Sequence, residues 1–165
     1  MAYVVNDTRL GVPEIDVTET TAAAAVPLGT IVQASDPDLG CGEFIYLKGV
    51  ASTAIGSWVT YNASDYTTAL LAANAIAPVA VAMSANVADQ YGWYQISGKA
   101  VGKALSGYVD NALVYATATA GSVDDAVVSG DRVKLAKGAS AVDTPSSGFA
   151  YFEIHRPFMD DGSAA

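Results

Sequence analysis

Chain-breaking residues constrain this chain more than anything else in it: glycine, proline, Asn-Asp or Ser-Gly punctuation recurs roughly every eight to fifteen residues from Gly11 onward. Long helices have nowhere to form. Between the breakers lie short runs rich in β-branched and aromatic residues, the composition of strands. They are Gly29–Ala34, Glu43–Leu47, Ser57–Tyr61, Val79–Met83, Trp93–Ser97, Lys99–Ala104, Ala112–Thr117, Asp131–Leu135 and Phe149–His155. About eight or nine short strands at this spacing predict an all-β single domain, a barrel or a sandwich. Thr67–Ala77, with Leu70, Leu71 and Ala75 at near-helical spacing, stays open between strand and helix, and Ala85–Gln90 reads as one helical turn.

The segment Thr8–Val26 is different: polar, threonine-rich and without an aromatic anchor. It reads as an extended N-terminal arm of the kind that becomes ordered on a neighbouring chain. The expected organisation is therefore an arm over residues 1–27, a β domain over 28–159 and a frayed tail over 160–165.

Seventeen acids against eight bases give a net charge of −9, and the bases are scattered, so no nucleic-acid partner is expected. Ala22–Leu28 and Ala75–Met83, the longest apolar stretches, fall short of the ~20 residues of a membrane span, and Pro27 and Pro78 interrupt them. Met1–Asp7 has no basic region leading into an apolar block, so no cleaved secretory signal is expected. A lone cysteine, Cys41, precludes an internal disulfide and fits a reducing compartment.

Little in the sequence carries chemistry. The single histidine, His155, stands at the end of an apolar strand, where packing or hydrogen bonding is its expected role. Cys41, in Gly40-Cys41-Gly42, reads as a small buried hydrophobe. Gly92, Gly98 and Lys99 miss the phosphate-loop spacing, and Ala100 stands where Ser or Thr would meet magnesium. Asp36, Asp38 and Glu43 loosely resemble a calcium loop, but Pro37 and the spacing depart from it, leaving a turn with solvated acids. No catalytic residue, metal or cofactor is expected, and so no enzymatic activity. Trp58 and Asn62 form the one cluster of the type that a carbohydrate binder uses.

Gln90-Tyr91-Gly92-Trp93-Tyr94-Gln95-Ile96-Ser97-Gly98-Lys99-Ala100, preceded by the alanine-rich Val79–Ser84, resembles a pattern of small capsid decoration (cement) proteins of tailed bacteriophages. Leu28–Val32 and Ala116–Asp124 look like the same group, and the likeness spans most of Leu28–Phe158. The resemblance implies a β-barrel or β-tulip subunit on the exterior of an assembled icosahedral head. Its implied partners are the major capsid protein and two further copies of itself, in a homotrimer at threefold or quasi-threefold sites. The virion would be its location. A phage fibre or host-surface glycan-binding module is the alternative. On the decoration reading, the arm and strand-end residues Tyr3, Val4, Val5, Arg9, Leu10, Ile15, Val17, Trp93, Tyr94, His155, Arg156 and Phe158 are the candidate interface. Val4 and Val5 would add a strand to a lattice edge through main-chain hydrogen bonds. For Trp93 a core position is the competing role, since neighbouring residues of a strand face opposite sides.

Overall fold

The computed structural model describes residues 4–5 and 16–160, and they are all-β. The first strands are β1 (Val4–Val5), β2 (Thr20–Thr21), β3 (Ile31–Asp36), β4 (Gly40–Lys48), β5 (Trp58–Tyr61) and β6 (Thr68–Leu70). Then follow β7 (Ile76–Ala82), β8 (Tyr91–Lys103), β9 (Leu113–Ala116), β10 (Val123–Asp124), β11 (Arg132–Gly138) and β12 (Phe149–Asp160). Among the described residues no helix forms. Thr67–Ala77 resolves into β6, a turn and the first two residues of β7, and Ala85–Gln90 is irregular with a turn at Ala88 and Asp89, because the alanines there have no apolar stripe long enough to hold a helix against the sheet.

All twelve strands belong to one antiparallel sheet whose main path is β1-β3-β4-β8-β7-β12-β11-β9-β10. The two ends of that path do not pair, so the expected barrel closure is not made by a continuous ladder among the described residues. The sheet instead curls: an isolated bridge between Ala104 and Val123 brings β10 back to the chain leaving β8. The curl encloses the largest core cluster, which includes Trp58, Val79, Val81, Tyr108, Val133, Phe152, Ile154 and Met159. Phe152 is its centre, meeting Trp58 edge-on at 4.9 Å and Tyr108 at 5.2 Å between ring centroids. Gly102 makes room for Trp58, since a Cβ there would stand 2.6 Å from the indole nitrogen.

Two further clusters lie on opposite faces of β4 and β8. Phe44, Tyr46 and Trp93 pack with Val17, Val32, Ala34 and Met83 on one. Ile45, Leu47, Tyr94 and Ile96 pack with Val59, Ala80 and Ala82 on the other.

The domain begins earlier than the composition implies. Val17 is fully buried, β2 pairs with Tyr91 and Gly92 of β8, and Thr20 Oγ1 donates to Ser84 Oγ and Asn86 Oδ1, each at 2.9 Å. Thr21 Oγ1 and the Tyr46 hydroxyl share a 2.7 Å hydrogen bond. Residues 16–27 thus form a strap over the Tyr46–Trp93 cluster rather than part of an extended arm, and threonine is what such a strap needs to satisfy buried hydroxyl and amide groups beneath it. At the other end Asp160 is the last residue of β12 and no part of a tail, while 161–165 lie outside the described residues.

Candidate interaction face

Three strands reverse their inside–outside alternation at one level of the sheet. Along β8, Ile96 is an extra residue between the pairs Glu43–Ser97 and Phe44–Gln95. Before it Trp93 faces the core cluster of its own side; after it the even-numbered Ala100 and Ala104 do. A one-residue bulge has that effect because side chains repeat every second residue. Gln95, buried, fastens the bulged stretch by donating from Nε2 to Ser97 O (3.1 Å) and Lys99 O (3.2 Å). Gly98 turns through φ +101°, with Cys41 O 2.5 Å from where a Cβ would sit.

Along β12 the corresponding irregularity is His155-Arg156-Pro157, opposite Leu135 of β11, between the pairs Ile154–Ala136 and Phe158–Lys134. Arg156 (φ 47°) and Leu135 (φ 60°) both occupy the left-handed region. Ile154 faces the core on one side of the bulge and Met159 on the other, so Phe158, which unbroken alternation from Ile154 would bury, turns outward and is 40% exposed.

These bulges also split the sheet. β8 and β12 pair from Lys103–Phe149 to Ser97–His155 and then part. β7 fills the fork, its Val81 and Ala82 pairing with β8 and its Ile76 to Pro78 with β12. Pro78 directly opposes Phe158, and Ile76 opposes Asp160, so all four share one face. With Thr60, Tyr61 and Asn62, the residues Ile76, Pro78 and Phe158 line an open groove of ≈ 440 Å³. Ile76 is 68% exposed and Leu135 64%, large values for apolar side chains in a sheet.

The charges at the fork are paired within the chain. Arg156 donates Nε to Glu43 Oε2 at 3.1 Å and Nη2 to Glu43 Oε1 at 3.3 Å. That carboxylate raises the guanidinium above its ordinary value. Burial raises the Tyr61 phenol, partly offset by the nearby Arg156. Lys134 pairs with Asp160 across β11 and β12. The result is an apolar strip flanked by neutralised ion pairs.

The structure brings together three of the residues expected at an interface, His155, Arg156 and Phe158, all exposed on β12. It removes three others: Val17, Trp93 and Tyr94 are 0%, 3% and 0% exposed. Trp93 is roofed by the strap, and Tyr94 lies on the opposite face of β8 with Ile45 and Ala82, so neither offers a contact surface. Val4 and Val5 form β1, which pairs with Ser35 and Ala34 of the chain's own β3. Tyr3, Arg9, Leu10 and Ile15 fall outside the described residues.

Three chemical readings also change. Cys41 is exposed rather than buried. Asp36 is buried rather than solvated, its Oδ1 accepting from the backbone amides of Asp38 (2.8 Å) and Leu39 (3.0 Å) to close the β3–β4 turn. Trp58, fully buried, offers no platform to a sugar ring. The sequence reading missed Glu43, Tyr61, Ile76 and Leu135 at the fork. A proline inside an apolar run, Pro78, was the available signal, since proline within a sheet marks an edge or an irregularity. No family model matches the chain, and no curated protein does.

Proposed function

We propose that this chain is a structural virion protein that attaches to the exterior of an assembled bacteriophage head and stabilises its lattice, acting as a homotrimer at threefold or quasi-threefold sites. The observation that supports this most is the apolar strip at the fork, where Ile76, Phe158 and Leu135 stand exposed beside ion pairs already neutralised in the same chain. Contiguous exposed apolar surface rimmed by polar groups marks a contact site, and no net charge has to be stripped of water to cover this one. The resemblance of the Tyr91–Ala100 segment to decoration proteins supplies the partner, the major capsid protein. A subunit that binds the assembled shell and not its dissociated parts stabilises the shell by mass action, many copies multiplying a modest gain at each site. The test is the heat resistance of heads stripped of this protein. Adding it back raises the temperature at which the shells open, and heads that open at an unchanged temperature with the protein bound would refute the stabilising role.

A further inference from the structure

The end of the sheet built by the β8–β9 and β10–β11 connections differs in character from the fork. Val109, Leu113, Val127 and Val128 are 54%, 41%, 80% and 45% exposed there, four of the nine large apolar side chains so exposed among the described residues. The two connections are tied together: Leu105 N donates to Val123 O at 2.9 Å, and Val109 N donates to Asp125 Oδ2 at 3.0 Å. Beneath them Tyr108, buried, donates its hydroxyl to Ala112 O at 3.2 Å, which gives the surface a packed floor.

Asp110, Asp124 and Asp125 rim this apolar surface, and all three act on the Tyr108 phenol, adding to the upward push of its burial. Four cations have acidic partners: Lys48 with Asp89, Lys134 with Asp160, Lys137 with Glu153 and Arg156 with Glu43. At this end Asp124 and Asp125 accept only from backbone amides, while Asp110 accepts from Asn111, whose Oδ1 in turn accepts from Lys137 Nζ at 3.2 Å. On a chain of net charge −9, the carboxylates of Asp124 and Asp125, with no described cation within ion-pair distance, stand beside exposed aliphatic area here. A second copy docking symmetrically through the same surface would set these carboxylates against themselves, whereas a basic segment would be drawn to them.

We infer that the surface formed by Val109, Leu113, Val127 and Val128, rimmed by Asp110, Asp124 and Asp125, docks a segment of a partner protein in which lysine or arginine alternates with aliphatic side chains. This surface is separate from the fork and does not depend on the partner being a phage head.

The test is a ¹⁵N NMR titration of the intact chain with the synthetic peptide acetyl-Lys-Val-Lys-Leu-Lys-amide and its glutamate counterpart. The lysine peptide shifts the amides of Val109, Leu113, Val127 and Val128, binding weakens about tenfold between 50 mM and 500 mM NaCl, and the glutamate peptide leaves these amides unmoved. Val127→Ser, at a position too exposed to disturb folding, weakens binding about fivefold. Absence of shifts at millimolar lysine peptide, shifts confined to the Phe158 groove, or equal shifts with both peptides would each overturn the inference. Heads take no part in this measurement, so its failure is separable from failure of the head-attachment proposal.

Discussion

Arg156 and Glu43, 113 residues apart in sequence, meet in a two-point hydrogen-bonded ion pair across the fork where β8 and β12 separate. Arg156 reaches Glu43 from a bulge and in a left-handed backbone conformation. The pair is more exposed on the arginine side (60%) than on the glutamate side (27%), so solvent screens much of its energy. Arg156→Ala therefore lowers stability by under ~1 kcal/mol in urea unfolding, and the loss shrinks in high salt. Lysine at 156 does not restore it fully, because an ammonium cannot make the parallel contacts of a guanidinium.

Trp93 is a stability residue. Packed against Tyr46 at 5.0 Å between ring centroids and covered by the strap, it leaves a large cavity when truncated. Trp93→Ala costs roughly 3–5 kcal/mol, measured as a shift in the urea midpoint together with loss of the native tryptophan emission. A Trp93→Ala protein as stable as wild type but unable to bind its partner would place the ring at an interface.

Gly98 holds the β8 bulge at φ +101°, where a Cβ would press on the Cys41 carbonyl. Gly98→Ala should cost roughly 2–4 kcal/mol, combining backbone strain with a steric clash against main chain. Amide exchange in β4 and β12 near the fork reports it, with protection lost there before it is lost around Phe152.

Alkaline pH acts through buried phenols. Burial pushes Tyr94 up to about 12 from 10.0, partly offset by the side chains of Thr68, Asn86 and Thr53 that face its hydroxyl. The folded state therefore holds this proton more tightly than the unfolded one. Its contribution to stability is complete below pH 10 and is lost as pH rises through about 12. Absorbance at 295 nm should show Tyr94 ionising only as the fold opens, and Tyr94→Phe should extend the stable range upward. A single titration step for all tyrosines with the fold intact would contradict this.

Much of the fold was legible because spacing carries it. Breakers such as Gly40, Gly56 and Gly121 interrupt runs of alternating apolar residues, and the runs from Ile31 to Phe149 became strands at or near the expected places, except that Trp93–Ser97 and Lys99–Ala104 are one continuous strand, β8. Register was not legible. Whether Phe158 or Met159 faces the core depends on a bulge at His155-Arg156-Pro157 that only pairing with β11 reveals, and the same holds for Ile96 in β8. The strap was misread because threonine-rich polarity marks an arm only when nothing polar waits beneath it, and Ser84, Asn86 and Tyr46 are separated from it by dozens of residues in sequence. The groove gathers Tyr61, Pro78 and Phe158 from three strands, so its composition existed nowhere along the chain.

The measurement that bears most directly on the central claim is co-sedimentation of the purified protein with heads stripped of it, run beside Ile76→Ser and Phe158→Ser variants whose thermal unfolding matches the parent. The account predicts saturable, stoichiometric attachment of the parent and at least tenfold weaker attachment of both variants. A parent chain that stays in the supernatant at every concentration would contradict attachment to the head, and variants that bind as tightly as the parent would contradict the fork as the contact.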